Sequence, residues 1–484
     1  MRTSMHHIGK KTFCAEDQQL FAQISRDCNP MHMDPVVARR LLAGRQVVHG
    51  IHILLTAIEF WQNDTASLPV AISCNFNNPV SVGEQLVFTQ NALAGNQSTL
   101  EARVNGLLCA TIVLTVELPG AAQQVSLSPP QVDASKEPFG LGSLSQPLDE
   151  APEFHLGKCY ALTLNDADFA TRFPQSHRYL GKQGFAAMAA LSYVVGMVCP
   201  GLHSVFASLE VDLRSSAVAN DQLYFSVRKY DPRFHLFDIG FSGCLQGRLK
   251  AFMRPPPQPQ PSLQELSKYV SGDEFKETRS LIIGGSRGLG EVTAKVLAAG
   301  GGAVLITYAS GLDDAQAISA EINRSTASLC QIQKLDLTND SFDSLDLDWN
   351  TLNAIYFFAT PKIFRKKAGV FDPALFQEFY EFYVKKFYEL CVFLEKTITS
   401  GKVQVYFPSS VAVVDRPKGM AEYAMAKAAA EILVQEINKE FRKVAVVCTQ
   451  LPRMSTDQTA TILKVAAASN VEILLPLMRS MKVL

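Results

Sequence analysis

Eight consecutive residues constrain this chain more than any others: Arg254-Pro255-Pro256-Pro257-Gln258-Pro259-Gln260-Pro261. Proline has no amide hydrogen and a fixed φ, so so dense a run cannot join the interior of a helix or a sheet. It predicts a stiff spacer between separately folded parts. Length agrees, because 484 residues exceed what one hydrophobic core serves. A second break, 118–152, is rich in Pro, Ser, Gln and Gly and reads as a connector. The expected parts are residues 1–120, 150–253 and 275–484, with 254–274 as the proline-rich linker.

The third part alternates strand and helix. Leu281-Ile282-Ile283 is a buried strand, 284–290 a glycine turn, 291–299 a helix and 303–307 the next strand. That order predicts an α/β Rossmann-type, doubly wound parallel sheet. The first two parts read instead as α+β, and as a diverged repeat of each other. In one, the helical stretch 51–61 leads to the strand 70–76; in the other, 185–198 leads to 205–211. More alternating strands follow both, the second after a turn at 219–221. A sheet wrapped around a helix leaves an edge to cover, so two in tandem predict an internal pseudo-dimer. Chance likeness between two α+β domains is the alternative.

Hydrophobic residues make up 47% and charged ones 19%, with a formal net charge of −1. No charged block argues for nucleic acid or an anionic membrane, and no apolar run is long enough to span a bilayer. The polar start lacks the apolar stretch of a signal peptide. The ten cysteines are scattered singly, which predicts reduced thiols in a cytoplasm and no zinc site.

Two clusters carry chemistry. The first is Asp27-Cys28-Asn29-Pro30-Met31-His32, followed by Val48-His49-Gly50. Removing water beside a thioester carbonyl needs a base, a proton donor for the leaving oxygen, and hydrogen-bond donors for the developing enolate oxygen. Asp27 and His32 lie across an Asn-Pro bend that can aim both at one point. Gly50, opening a helix, can bring its amide close to a ligand. Singly, Asp27 also suits a turn cap and His32 a surface histidine. Together, the stretch from Phe21 through Asp27 and His32 to Asp34, with Val47-Val48-His49-Gly50, resembles the MaoC-like, (R)-specific enoyl-thioester hydratases of the hotdog fold.

The resemblance implies that Asp27 and His32 jointly hold the catalytic water and that the Gly50 amide binds the thioester oxygen. One departure stands out. Where the family often has a serine in the helix after His-Gly, Leu55 aligns, with Thr56 beside it. The second repeat has no such motif; its stretch from Phe173 to Gly184 reads as a non-catalytic partner shaping an acyl tunnel, with His177 structural or exposed.

The second cluster is Ser410 with Tyr423 and Lys427, downstream of Gly284-Gly285-Ser286-Arg287-Gly288-Leu289-Gly290. A glycine turn between strand and helix lets amides approach a pyrophosphate. Tyr423 and Lys427 share a helix face, and an ammonium beside a phenol is expected to lower its pKa and make a proton relay to a carbonyl oxygen. All nine histidines lie at or before His235, which excludes a histidine acid here. With the loop included, this part resembles the short-chain dehydrogenase/reductase family.

That resemblance implies a catalytic set of Ser410, Tyr423 and Lys427, with Lys427 also on the nicotinamide ribose. It implies a cofactor loop of Gly284, Ser286, Arg287, Gly288, Leu289 and Gly290, with Asp336 and Leu337 holding the adenine and Ala359 lining the site. Arg287, and the lack of an acid up to Ser310, favour NADP(H) over NAD(H). The usual Asn-Asn-Ala-Gly reads Phe357-Phe358-Ala359-Thr360, and the relay asparagine is missing, with Tyr383 nearest its place.

The combined expectation is a bifunctional enzyme of fatty-acid or polyketide-type metabolism. It reduces a 3-oxoacyl thioester with NADPH and dehydrates the (R)-3-hydroxy product, and no metal takes part. The expected partners are an acyl-CoA or acyl carrier protein thioester and a second copy of the chain. Two alternatives remain: a hydratase with the reductase part as scaffold, or a reductase with an acyl-binding hotdog module.

Overall fold

The structure, a computed structural model, describes residues 5–41, 43–63, 67–91, 95–117, 139–140, 143–214, 221–365, 368–461 and 465–482. Much of the expected connector 118–152, and residues 219 and 220 of the expected second-repeat turn, lie outside the described residues. The chain forms two compact units that divide inside the proline run, between Pro256 and Pro257.

The first unit is built of two halves of similar element order. Its first half has β1 (His6–Thr12), β2 (Pro69–Phe76), β3 (Gln85–Gln90), β4 (Gln97–Val104) and β5 (Leu107–Val116). After β6 (Phe139–Gly140), its second half has β7 (Cys159–Thr163), β8 (Ser204–Asp212), β9 (Gln222–Asp231), β10 (Leu236–Gly243) and β11 (Gln246–Met253). All join one sheet in the order β1-β3-β4-β5-β2-β8-β11-β10-β9-β7-β6. Strict alternation sets the inner face: Leu86 and Phe88 on β3 and Leu100 and Ala102 on β4 are fully buried. Asn105 and Gly106, both with positive φ, make the tight turn between β4 and β5.

The halves meet where β2 pairs antiparallel with β8, Ser73 opposite Glu210. Each half thus covers the other's open edge with its own equivalent strand, which is what a pseudo-two-fold dimer does. The helix Gly50–Phe60 is apolar nearly all round, with Ile51, Leu54, Leu55 and Ala57 fully buried, so it can only lie inside the core. It packs on its counterpart, Pro174–Tyr193, which breaks at Gly181 (φ 69°) and runs on into a π-helical turn, Val194–Val198. Glu59 accepts hydrogen bonds from the Gln175 and Ser176 amides and so caps the second helix from the first.

In the second unit, β12 (Arg279–Ile283), β13 (Ala303–Tyr308), β14 (Cys330–Lys334), β15 (Ala354–Phe357), β16 (Val403–Ser410) and β17 (Val444–Leu451) form an all-parallel sheet ordered β14-β13-β12-β15-β16-β17. Strands covered on both faces read as continuous apolar runs, as Leu281 to Ile283 does. The order reverses beside β12, the switch point where such sheets bind ligands.

The proline run acts as a spacer only in part. The Gln258 amide donates to Asp457 at 2.7 Å, and the Gln260 side chain bonds Ser455 O (3.1 Å) and Asn470 (2.6 Å). The interleaved glutamines carry the donors that the prolines lack, and they fasten this stretch to the second unit.

Candidate active sites

The helix Ala15–Ser25 ends on Arg26 in the left-handed conformation (φ 61°), and the chain then turns inward. Asp27 follows, its amide on Ser25 Oγ. Asn29 is fully buried and bonded at both ends of its amide. Its Oδ1 caps the short helix Pro30–Met33 through the Met31 amide, and its Nδ2 donates to Gly196 O (2.8 Å) and Gly201 O (3.1 Å). The cap fixes the turn that carries His32, while the other bonds tie that turn to the second repeat.

The structure brings Asp27 and His32 together. Along with His49 they offer atoms within 4.8 Å of one another, a spacing that would also suit a metal ion. His32 Nδ1 faces Val47 O at 2.6 Å, which requires hydrogen on Nδ1 and leaves Nε2 as a bare lone pair. His49 stacks on His32 (3.8 Å between ring centres), with its Nε2 3.2 Å from Asp27 O. Burial lowers the His32 pKa, opposed by Asp27 and the Val47 bond and aided by Arg254. Burial raises that of Asp27, opposed by His32, Ser192 and the Asn29 amide. Both shifts disfavour charge at these buried positions.

Sequence reasoning missed Ser192. Its Oγ donates to Asp27 Oδ2 at 2.7 Å from the second repeat's helix. Where Leu55 offers no hydroxyl, the other half supplies one to the Asp27 carboxyl. Thr56 bonds its own helix at His52 O, and His177 packs on Phe185. The one serine inside the apolar stretch 185–198 was the available signal, since buried polar groups find partners. Gly196 was missed too: a Cβ there would lie 2.4 Å from the Asp27 carboxylate oxygens. Gly50 occupies the first position of its helix, where the amide has no intrahelical acceptor, and the Phe76 ring fills the space a Cβ would need.

In the second unit, the turn after β12 leads into the helix Gly288–Ala299. Gly284 (φ 82°) and Gly288 (φ 57°) are left-handed, and a Cβ on Gly290 would lie 2.4 Å from Gly284 O. The turn is a tight cradle that only glycine permits at these positions. Ser286 is buried, Leu289 is partly buried, and Ala359 packs against Gly284. Arg287 lies 4.0 Å from Asp457. Asp336 accepts from Thr338 and Asn339 within its own turn, bonds that hold its carboxyl below the usual range. Leu337 is buried and Ser310 exposed, at the C-terminal ends of their strands.

Tyr423 and Lys427 share one face of the helix Ala421–Glu440, and Ser410, at the end of β16, hydrogen-bonds Tyr423. The expected activation of the phenol by an ammonium is not what the structure has. Lys427 Nζ donates to Pro408 O (2.6 Å) and lies 3.7 Å from the Tyr383 ring centre, 4.5 Å from that of Phe407 and 5.9 Å from that of Tyr423. Burial pushes the lysine down to about 7 and Tyr423 up to about 12, against the opposing Ser410 bond. For groups this deeply buried, desolvation outweighs the attraction expected from spacing alone.

Residues 2–104 match the MaoC-like domain model and residues 279–466 that of the short chain dehydrogenases. A mitochondrial 3-hydroxyacyl-[acyl-carrier-protein] dehydratase of Arabidopsis thaliana is 32% identical over 88 residues, 17% of this chain and 51% of that protein. The chain thus spans about half the length of that curated relative. An (R)-specific enoyl-CoA hydratase of Aeromonas caviae is 30% identical over 119 residues, 22% of this chain and 89% of that protein. Among solved structures, a short chain dehydrogenase from Escherichia coli complexed with NADPH has a TM-score of 0.38 at 19% identity, covering 44% of this chain and 92% of its own. Alternative dihydrofolate reductase 1 from Brucella canis, complexed with NADP, has a TM-score of 0.32 at 20% identity, covering 37% of this chain and 74% of its own. The chain belongs to the MaoC-like dehydratase family through its N-terminal unit and carries a short-chain dehydrogenase domain in its C-terminal one.

Proposed function

We propose that the N-terminal unit interconverts (R)-3-hydroxyacyl and 2-enoyl thioesters, and that the C-terminal unit reduces 3-oxoacyl thioesters with NADPH to supply the hydroxy compound. The observation that carries the reading is the buried Asp27–His32 pair, with Ser192 on the carboxylate and the Val47 carbonyl on the imidazole. Burial favours a proton on Asp27 and none on His32. In dehydration, His32 Nε2 takes the proton from C2 and the C2–C3 double bond forms as the C3–O bond breaks. Asp27 gives its proton to the departing hydroxyl, and water leaves. Proton return from His32 to Asp27 resets the pair. The Gly50 amide, at a helix N-terminus, receives the thioester oxygen. The relatives named for carrier-protein and coenzyme A substrates support an acyl thioester, and both carriers fit this chemistry.

The glycine cradle fits a dinucleotide, because its left-handed turn and close strand–helix packing leave free amides at the N-terminus of the helix Gly288–Ala299. Arg287, with no acid at the end of β13, suits a 2′-phosphate. When bound, NADPH supplies the hydride. Ser410 holds the substrate carbonyl oxygen and Tyr423 donates its proton. The assembly proposed is a homodimer in a cytoplasm, serving fatty-acid or polyketide-type synthesis.

One observation favours a second reading, a working hydratase with the dehydrogenase unit as scaffold: Lys427 faces Pro408 O and not the Tyr423 hydroxyl. NADPH oxidation with acetoacetyl-thioester and hydration of crotonyl-thioester separate the readings. Tyr423→Phe is expected to abolish only the first activity and Asp27→Asn only the second. Loss of both activities in either folded variant would refute the two-site reading.

A further inference from the structure

Tyr383 falls nearest the place of the family's relay asparagine, yet it offers a ring in place of an amide. It sits in a π-helical turn, Glu381–Lys386, that interrupts the helix between Pro373–Tyr380 and Phe387–Thr397. A π turn inserts a residue and re-aims the side chains around it. The ring is fixed on every side. Its hydroxyl bonds Thr360 Oγ1, its face lies parallel to Phe379 at 5.8 Å (6°), and Tyr423 meets it edge-on at 5.8 Å (81°). Lys427 Nζ sits over that ring and donates to Pro408 O.

We propose that Tyr383 is the positioning residue for Lys427, its π face holding the ammonium in place of the water a polar side chain would recruit. The inference rests on the NADPH reading of this unit. A cation over an aromatic face is attracted by the ring quadrupole, and the attraction grows when water is excluded. The arrangement fixes where Nζ points but leaves its charge poorly solvated. The titratable groups facing it are Tyr383 from the π turn, Tyr423 and Glu431 from its own helix, and Cys448 from β17. Of these, Glu431 also hydrogen-bonds Ser409 and Gln450, and burial outweighs its attraction for the lysine. A lysine so held loses its proton near neutrality, in keeping with its depressed value of about 7. Its grip on the cofactor ribose should therefore fade as pH rises through that range.

The test is the dissociation constant of NADPH, read by its fluorescence on the full-length protein between pH 7 and 9. For wild type, binding is expected to weaken about tenfold across that interval, the loss of one ammonium contact. Tyr383→Phe keeps the ring and should keep this profile. Tyr383→Asn admits water and should hold binding nearly constant to pH 9. Lys427→Met should bind weakly at every pH. A flat wild-type profile would overturn the inference alone. So would a Tyr383→Phe profile that differs from wild type, or a folded Tyr383→Asn that matches it. Wild type that binds no NADPH at any pH would overturn the cofactor reading and the inference with it.

Discussion

Ser192 Oγ donates to Asp27 Oδ2 across 2.7 Å although 165 positions and a repeat boundary separate them. The surroundings of Asp27 are therefore built by both halves of the first unit, with Asn29 tied to Gly196 and Gly201 as a second link. One half supplies the titrating groups and the other fixes their orientation. Fusing the repeats in one chain lets them diverge in this way.

Ser192→Ala should cut crotonyl-thioester hydration by about 2- to 10-fold, since a hydrogen bond between neutral groups is worth about 0.5–1.5 kcal/mol. NADPH binding should not change. A loss under twofold would show that Ser192 merely fills space.

Gly196→Ala is expected to abolish the hydratase more completely than Ser192→Ala. The new methyl would stand 2.4 Å from both Asp27 oxygens, so the carboxylate must move. Circular dichroism would confirm the fold, and unimpaired hydration would contradict the placement of Asp27.

In the second unit, Gly290→Ala forces a Cβ to 2.4 Å from Gly284 O, backbone against backbone. Overpacking of this kind costs about 1–3 kcal/mol and should open the cradle. NADPH fluorescence should show lost binding while hydration persists. Retained NADPH affinity would place the cofactor elsewhere.

The pH dependence has a definite sign. His32 is lowered by burial, so the folded protein resists a proton that the unfolded chain accepts near pH 6.5. The stability tied to neutral His32 is present above that value and lost as pH falls below it. Asp27, raised by burial, contributes in the opposite sense, favouring the fold at low pH and losing that contribution as pH rises. Thermal melts of wild type and His32→Asn between pH 7 and 5 should converge or cross, with wild type falling faster. Parallel curves would show that His32 is not held neutral by the fold.

Much of the fold was legible because period and turn chemistry are local. The alternation of Leu86 with Phe88, the apolar helix from Ile51 and the glycine turn after Ile283 each announce an element without reference to distant residues. Asp27, His32, Tyr423 and Lys427 were legible for the same reason, since five- and four-residue spacings fix a shared bend or helix face. The proline run marked the division of the units, but the bonds that dock Gln258 and Gln260 are long-range and leave no periodic trace.

Sequence by itself determined in what kinds of fold the candidate groups sit, and it singled those candidates out. Only tertiary structure decided their state. Packing from elsewhere in the chain put Ser192 on Asp27 and hydrogen on the Val47 side of His32. It also closed Lys427 in aromatic rings, with Tyr423 up and the lysine down. Hydrogen-bond partners and desolvation depend on what surrounds a side chain in space, and no spacing along the chain encodes that.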